Sequence, residues 1–427
     1  MNKRLMEREK WIECNLLSVD EDDKLEDLEE LSLTFNQIVI LPKEISQLHN
    51  LRKLNLRVNQ INRLPKEIGQ LQNLEEIDLS SNHIVKLPQE ICQLQNLEKL
   101  ILSNNHLVKL PKEIIQLQNL EELNLSNNHL LKLPKEVAQL QSLEKLNLSN
   151  NYIIKLPKEI FQLPNLEELY LSTNQIVKLP KEILQLLSLK AIDLTDNKIV
   201  KLPKEIFQLP NLKEISLAGN KIKKLPKEIS QLQNLTLLAL AGNKIKKLPK
   251  EIGQLQNLTT LALSKNKITK LPKEIGQLQL LNILLLEKNN IKELTMEIGK
   301  LEKLEILDLN NNGIETLPKE LLELKNLKII NFSDNEIEDL EFQIEDLKKL
   351  KTLDLTMMTI EEILNKNQAI QSKEDNESKI LTAEEISNLL SSMEEDDKKE
   401  LIKKELTEEK KNLLNKYHSF FSAFQNR

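Results

Sequence analysis

The chain of 427 residues is poor in the residue types that ordinary globular cores use. Aromatic residues make up 3% of it, glycines number seven and tryptophan occurs once. The two cysteines, Cys14 and Cys92, lie far apart, which excludes a disulfide-stabilised scaffold and matches no metal or redox spacing. No apolar run reaches the ~18 residues that suggest a membrane span. The amino terminus, MNKRLMEREKWIEC, lacks the uninterrupted apolar segment of a secretory signal. We therefore expect a cytoplasmic protein, although an unconventionally exported one would look the same.

The chain is instead rich in one repeated pattern. The motif L-x-x-L-x-L-x-x-N-x-I begins at Leu28 and recurs every 23 residues up to Leu350, in fifteen copies without insertion or deletion. Asparagine closes the motif from Asn36 to Asn335, and the second half of most copies reads LPKEIxQLxN. One copy cannot bury its own leucines, so each must pack against its neighbours in a solenoid.

This pattern resembles the leucine-rich repeat family, in its 23-residue class, and is similar to bacterial leucine-rich repeat proteins and plant intracellular Ras-group-related leucine-rich repeat proteins. The resemblance covers Leu28 to about Leu364. It implies an α/β fold, a right-handed horseshoe-shaped solenoid with a parallel sheet on its concave face and short 3-10 or extended segments on its convex face. The alternation of leucine with polar residues in L-x-L agrees, because a short strand then points the leucines inward.

The ends of the chain depart from the repeat. Residues 1–27 are predicted to form a helical cap, residues 28–364 the fifteen repeats, residues 365–381 a polar linker and residues 382–427 an amphipathic helical segment. That last segment is expected to cap the solenoid. Alternatively, Ile380–Met393 resembles the segment of a flagellar switch protein that docks on a phosphorylated response regulator.

The repeats contain none of the motifs that carry catalysis. There is no G-x-S-x-G, no P-loop, no H-E-x-x-H and no cysteine with a matching histidine. Regular coils also leave few loops on which to build a cleft, so we expect a protein that is not an enzyme.

One column of histidines needs a separate interpretation. His83, His106 and His129 occupy the same repeat position in consecutive copies, so their rings should stack about 5 Å apart. Imidazoles are common ligands of transition metals, and such a ladder would be able to hold Zn²⁺ together with water or a carboxylate. The alternative is an exposed and tolerant position, since Gln60 and Tyr152 occupy it elsewhere. No other cofactor is expected.

Charge is distributed unevenly along the repeats. Residues 198–273 contain sixteen lysines against four glutamates, and Lys198, Lys221, Lys244 and Lys267 stand in register, which predicts a basic stripe along one rim. The segment has no arginine and its one aromatic residue is Phe207, which argues against nucleic acid as a partner. The alternative is a solvated face. At one strand position, acids and lysines alternate and are expected to pair across adjacent strands: Glu30, Lys53, Glu76, Lys99, Glu122, Lys145 and Glu168.

In repeats ten to fourteen, the outward strand positions change from polar to apolar. The residues concerned are Leu237, Ala239, Ala262, Ile283, Leu285, Ile306 and Ile329, with Asp308 at the edge. Adjacent strands should merge them into one exposed apolar patch, and such patches usually mark interaction sites. We therefore predict a protein partner of unknown identity that docks an extended or helical segment here. The alternatives are neutral drift, cover by the chain's own tail, or a structural solenoid that forms homo-oligomers through residues 382–427.

Overall fold

The computed structural model describes residues 28–337. Over this range the chain forms one parallel sheet of fourteen three-residue strands, which follow each other across the sheet in sequence order. The register is constant, so that each residue pairs with the residue 23 positions later, as Leu31 does with Leu54. We number the coils by their strands. The strands are β1 (Glu30–Ser32), β2 (Lys53–Asn55), β3 (Glu76–Asp78), β4 (Lys99–Ile101), β5 (Glu122–Asn124), β6 (Lys145–Asn147), β7 (Glu168–Tyr170), β8 (Ala191–Asp193), β9 (Glu214–Ser216), β10 (Leu237–Ala239), β11 (Thr260–Ala262), β12 (Ile283–Leu285), β13 (Ile306–Asp308) and β14 (Ile329–Asn331).

A five-residue 3-10 helix forms the opposite side of each coil between successive strands. In twelve of these thirteen helices a proline with extended backbone stands directly before the first turn, as Pro42 does at φ −70°. Thr295 replaces that proline in one coil and has the same backbone geometry, with φ −71°, so the helix does not depend on the proline ring. The helices are Lys43–Gln47, Lys66–Gln70, Gln89–Gln93, Lys112–Gln116, Lys135–Gln139, Lys158–Gln162, Lys181–Gln185, Lys204–Gln208, Lys227–Gln231, Lys250–Gln254, Lys273–Gln277, Met296–Lys300 and Lys319–Glu323.

The core is one continuous column of leucine and isoleucine between the sheet and the 3-10 helices. It extends from Leu31 to Phe332, and the middle residue of every described strand is buried in it. Each coil contributes the same apolar positions and covers those of its neighbours, so the stability of the solenoid is close to a sum over adjacent coils. The inward-facing leucines predicted from the L-x-L motif are confirmed.

The repeated asparagine closes each turn after the strand. The Nδ2 amide of Asn82 donates to the carbonyl oxygens of Leu56 and Leu79 at 2.9 and 3.0 Å, and its Oδ1 accepts from the amide of Ile61 at 2.9 Å. The residue before each asparagine lies in the left-handed region in most coils, as Ser81 does at φ +56°. The buried asparagine ladder therefore satisfies the backbone groups that the turn leaves unpaired.

Several predicted segments fall outside residues 28–337. These are the cap at 1–27, the fifteenth repeat, the linker at 365–381 and the segment at 382–427. Within the described part of the chain, each helix is five residues long and none could cross a bilayer.

Candidate functional site

The first and third residues of each strand point away from the core and form the concave face of the solenoid. In coils 1 to 7 this face is charged. Lys53 pairs with Glu30 at 2.6 Å, and Lys145 lies 3.9 Å from Glu122 and 3.5 Å from Glu168. Some of the ion pairs expected from the alternating charges therefore form. All of these side chains remain partly open to water, so each pair adds little to stability.

The alternation of charges ends at Ala191, whose short side chain leaves a hollow of about 440 Å³ on the concave face. Tyr170 lies at this hollow and donates its hydroxyl hydrogen to Glu168 at 2.9 Å. The ammonium group of Lys145 lies 5.8 Å from the centroid of the Tyr170 ring, within the range of a cation–π contact. The polar and charged side chains in this part of the face therefore already contact each other.

Further along the concave face the structure brings the predicted apolar residues together. Five of them form a cluster that is separate from the main core, and two more pack against it. The strand register aligns Ile283 with Ile306, and Ile306 with Ile329. We call this set of seven the apolar patch. Its members are Leu237, Ala239, Ala262, Ile283, Leu285, Ile306 and Ile329.

The apolar patch is much less exposed than the sequence predicted, and that part of the prediction was wrong. Leu285 is 1% exposed and Ile306 is 4% exposed, whereas Leu237 and Ile283 remain partly exposed. Neighbouring strands lie about 4.8 Å apart, so each branched side chain is flanked by those on either side. Substitution of Leu285 by aspartate would therefore bury a carboxylate and destabilise the fold.

Asp308 lies in β13 at the edge of the apolar patch, in register between Leu285 and Asn331. It is 5% exposed, and its Oδ1 accepts from the backbone amide of Asn310 at 3.0 Å. Its carboxylate therefore helps to shape the turn after the strand.

The histidine column stacks as predicted. The ring centroids of His83 and His106 are 5.6 Å apart, those of His106 and His129 are 5.3 Å apart, and Tyr152 continues the column at 5.9 Å. The first two rings are parallel to within 3°, so their planes stack and do not converge on a common point. Among residues 28–337 no group of three or more histidine, cysteine, aspartate or glutamate side chains is arranged to hold a metal ion. The geometry therefore favours the interpretation that this column is an exposed position that tolerates many residue types, over the interpretation that it binds zinc.

Cys92 belongs to the 3-10 helix Gln89–Gln93, and its side chain is buried in the core. Burial raises the pKa of its thiol to about 12. A nucleophilic cysteine requires an accessible thiolate at neutral pH, which this environment disfavours.

The predicted basic stripe lies on a lateral face of the solenoid. We define this lateral face as the segment of each coil between the turn asparagine and the following 3-10 helix. Lysines such as Lys223, Lys246 and Lys247 form the walls of a groove there of about 680 Å³, and Leu225 and Leu248 lie at its floor. None of the residues that line the groove belongs to the apolar patch.

The structure also reveals a surface that we had not predicted. Six consecutive coils expose an aliphatic side chain at one position of the lateral face. This position lies between the turn asparagine and the proline that precedes the 3-10 helix. It therefore belongs neither to the L-x-L motif of the strand nor to the LPKEI motif of the helix. Its 23-residue spacing was nevertheless readable in the sequence. We call these residues the aliphatic ladder: Val85, Val108, Leu131, Ile154, Val177 and Val200.

Comparisons with known proteins agree with this architecture. A leucine-rich repeat region family matches residues 24–128, and a leucine rich repeat family matches residues 118–176, 141–199, 187–245, 233–291 and 302–357. A solved leucine-rich repeat protein of Leptospira interrogans is 42% identical, with a TM-score of 0.65, over 78% of this chain and 97% of that one. No curated protein sequence matches the chain.

Two further solved structures are similar at lower identity. One is the ectodomain of the Arabidopsis thaliana receptor kinase GASSHO1/SCHENGEN3 in complex with Casparian strip integrity factor 2. It is 28% identical, with a TM-score of 0.61, over 74% of this chain, which spans 42% of that one. The other is an internalin, InlF, of Listeria monocytogenes, which is 24% identical over 76% of this chain and 94% of that one, with a TM-score of 0.67. At that identity the internalin supports the fold alone.

Proposed function

Since the chain belongs to the leucine-rich repeat family, we propose that it is a non-enzymatic scaffold that binds another protein through the concave face of coils 10 to 14. Repeat solenoids bind partners over their extended concave surfaces. A similar solenoid, the Arabidopsis receptor kinase ectodomain, was solved with a protein partner bound. The identity of the partner of this chain stays open.

The observation that supports this site is the separation of the apolar patch from the core. Leucine and isoleucine at the first and third strand positions are not needed to fill the core, because the middle strand residue does so in every coil. In coils 1 to 7 the corresponding positions carry mostly charged and polar residues, which shows that the fold does not require apolar ones. Of this second apolar cluster on the sheet surface, Leu237 and Ile283 remain partly exposed, and exposed apolar surface is the kind of feature that marks an interaction site.

The accessible part of the site is formed by two of its seven residues. Leu237 and Ile283 are partly exposed, while Leu285 and Ile306 on the same sheet face are closely packed. A partner would therefore contact Leu237 and Ile283 first. The more deeply buried members would hold these two in place and would contact the partner less.

An enzyme is the less well supported alternative. In residues 28–337, Cys92 is buried with its thiol pKa raised and the stacked histidines do not converge on a metal. The hollow beside Tyr170 is open and contains charged groups that already contact each other.

The test is site-specific photo-crosslinking in the source cell. A photoreactive amino acid is placed at Ile283 in the full-length chain, and separately at Glu122, on the same face in the charged coils. We expect a discrete crosslinked protein from position 283 and none from position 122. The crosslinked protein is then purified, and its affinity is measured for the Ile283→Ser and Glu122→Ala variants.

Binding that is lost in Ile283→Ser and kept in Glu122→Ala supports the proposal. The opposite result would place the site in the amino-terminal half. If the crosslinked species is instead a second copy of the chain, light scattering of the full-length protein and of a chain truncated after Leu364 would test the self-associating solenoid.

A further inference from the structure

The lateral face carries a surface that the concave proposal does not use. The aliphatic ladder places one exposed Val, Leu or Ile side chain on each of coils 3 to 8, and Leu131 and Ile154 at its centre are 59% and 58% exposed. Isolated exposed aliphatic residues are normal on a protein surface, but contiguous ones require an explanation. Six in register on neighbouring coils are contiguous.

The length of the ladder follows from the spacing of its coils. The histidine rings on the same lateral face, two residues before the ladder position, are 5.3 to 5.6 Å apart. Six side chains at that spacing extend over about 27 Å, a little more than the same number of strands in a flat sheet. An α-helix of about 18 residues has this length.

A row of basic residues runs directly beside the aliphatic ladder. Each ladder residue is followed in sequence by an exposed lysine, and the row extends beyond the ladder at both ends. None of these basic side chains forms an ion pair with an acidic residue within the described residues 28–337. The row consists of Arg63, Lys86, Lys109, Lys132, Lys155, Lys178, Lys201, Lys224, Lys247 and Lys270.

Past coil 8 the ladder position itself becomes basic. Lys223 and Lys246 take the place of the aliphatic residues, and the lateral groove opens between the coils. Its floor still includes Leu225 and Leu248. From coil 3 to coil 10 the lateral face thus combines apolar side chains with lysines that form no ion pair among residues 28–337. The two kinds of residue lie side by side along coils 3 to 8, and in coils 9 and 10 they form the floor and the walls of the groove.

We infer that the lateral face of coils 3 to 8 is a second docking surface, and that it takes an amphipathic, acidic helix of a partner protein. The apolar side of the helix packs along the aliphatic ladder, and its acidic residues face the lysine row, whose side chains form no ion pair among residues 28–337. Complementary charge of this kind steers association and selects the partner. This surface is distinct from the apolar patch, so either proposal can fail without the other.

The lysine row disfavours a second copy of this chain as the occupant. Two aliphatic ladders packed together would bring two rows of lysines close to each other, and like charges in an interface oppose association. Nucleic acid is disfavoured for a different reason, because aliphatic side chains do not provide the stacking surfaces that nucleobases use.

The experiment measures fluorescence anisotropy of labelled peptides with the full-length protein. The probe is a helical peptide of about 18 residues with leucine along one side and glutamate elsewhere. Two further peptides of the same length separate the contribution of acidic charge from that of the leucine side. One has lysine in place of glutamate, and the other consists of glutamate alone. An oligothymidylate tests for a general polyanion site.

We expect the leucine–glutamate peptide to bind and the leucine–lysine peptide not to bind. The double variant Leu131→Ser/Ile154→Ser should weaken binding about tenfold, as should Lys132→Glu/Lys155→Glu. Leu187→Ser is the matched control, because Leu187 is 57% exposed but lies after the 3-10 helix, off the lateral face. Lys213→Gln is the charge control, beside the concave hollow. Both controls should bind as the unaltered protein does.

Five results would overturn the proposal. Equally tight binding of polyglutamate or oligothymidylate would show that charge alone explains the surface. Binding that Leu131→Ser/Ile154→Ser leaves unchanged, or that Ile283→Ser abolishes, would place the peptide elsewhere. Failure of the leucine–glutamate peptide to bind at all would show that the lateral face is not complementary to an acidic amphipathic helix. A dimer that dissociates in Leu131→Ser/Ile154→Ser would identify a second copy as the occupant.

Discussion

The side-chain amide of Asn105 donates a hydrogen bond to the carbonyl oxygen of Leu79, 26 residues earlier, at 2.9 Å. The same amide also donates to Leu102 in its own coil at 3.2 Å, while its oxygen accepts from the amide of Ile84 at 2.9 Å. One buried side chain therefore connects two coils through three backbone groups. Leucine packing alone would allow adjacent coils to slide, whereas these directional bonds set the 23-residue register.

Replacement of Asn105 by alanine should destabilise the protein strongly. It removes these hydrogen bonds and leaves the buried amide of Ile84 without its acceptor, which costs about 1–3 kcal/mol. The carbonyls of Leu79 and Leu102 lose one donor each but still accept from Asn82 and Asn128. We expect a loss of roughly 2 kcal/mol or more, measured by urea denaturation. Asn119 provides the control, since it is exposed and makes a single bond to the carbonyl of Gln95. Asn119→Ala should cost less than about 1 kcal/mol; equal costs at both positions would contradict a special role for the buried ladder.

Much of the fold could be predicted because the repeat imposes it. The L-x-L motif located every described strand, the asparagine located every turn, and the common position of His83 and His106 implied that their rings stack. These inferences depend only on a constant register. They do not depend on what surrounds a particular side chain.

Features that depend on neighbouring side chains could not be predicted in this way. The burial of Leu285 follows from how closely its neighbours pack on the sheet surface, which a period does not specify. The left-handed backbone before the turn asparagine was hidden as well, because that position holds residues as different as Val58, Thr173 and Lys265. The aliphatic ladder lies between the motifs and was missed for that reason.

Val58 should be a source of backbone strain. It has φ +55°, a region that disfavours β-branched side chains, and its side chain is not needed in the core. Val58→Asn should stabilise the protein by about 1 kcal/mol, because asparagine tolerates this conformation. Val39→Asn is the control: Val39 is exposed and is not in the left-handed region. We expect Tm to rise for Val58→Asn and not for Val39→Asn. An equal rise for both variants would show that backbone strain at Val58 is not the cause.

Asp193 should make the stability of the protein depend on pH. Burial raises the pKa of its carboxyl above the ordinary value, although the amide of Thr195 donates to it at 2.9 Å. Because the pKa is higher in the folded state, the group contributes stability below its unfolded pKa of about 3.9, and this is lost as the pH rises through the folded value.

Asp193→Asn should therefore raise Tm at pH 7, and the difference should shrink as the pH falls through the raised folded-state pKa towards about 4. Thermal melts of both proteins across this range measure it. Asp78→Asn is the control, since Asp78 occupies the same strand position in β3, accepts from Ser80 at 2.8 Å and is only half-buried. A similar gain at both positions, or a difference that persists in acid, would show that burial of charge at Asp193 is not responsible.

The histidine column should not respond to zinc. A ligand that binds the folded state alone raises Tm by mass action, so a real site would reveal itself in a thermal melt. With rings stacked 5.3 to 5.6 Å apart and no convergent group of three ligands in residues 28–337, we expect no shift at millimolar Zn²⁺. A rise in Tm that His106→Ala abolishes would show that the side chains rotate to form a metal site.

The apolar patch should contribute to stability in proportion to the burial of its members. Leu285 is 1% exposed and Leu237 is partly exposed, yet both are leucines on the same sheet face. Truncation of a buried leucine to alanine costs the lost transfer free energy and leaves a cavity. We expect Leu285→Ala to lower the free energy of unfolding by roughly 2–3 kcal/mol and Leu237→Ala by about 1 kcal/mol. Urea denaturation of the two variants gives both values. If Leu285→Ala costs no more than Leu237→Ala, the Leu285 side chain is open to solvent and is as available to a partner as the sequence first suggested.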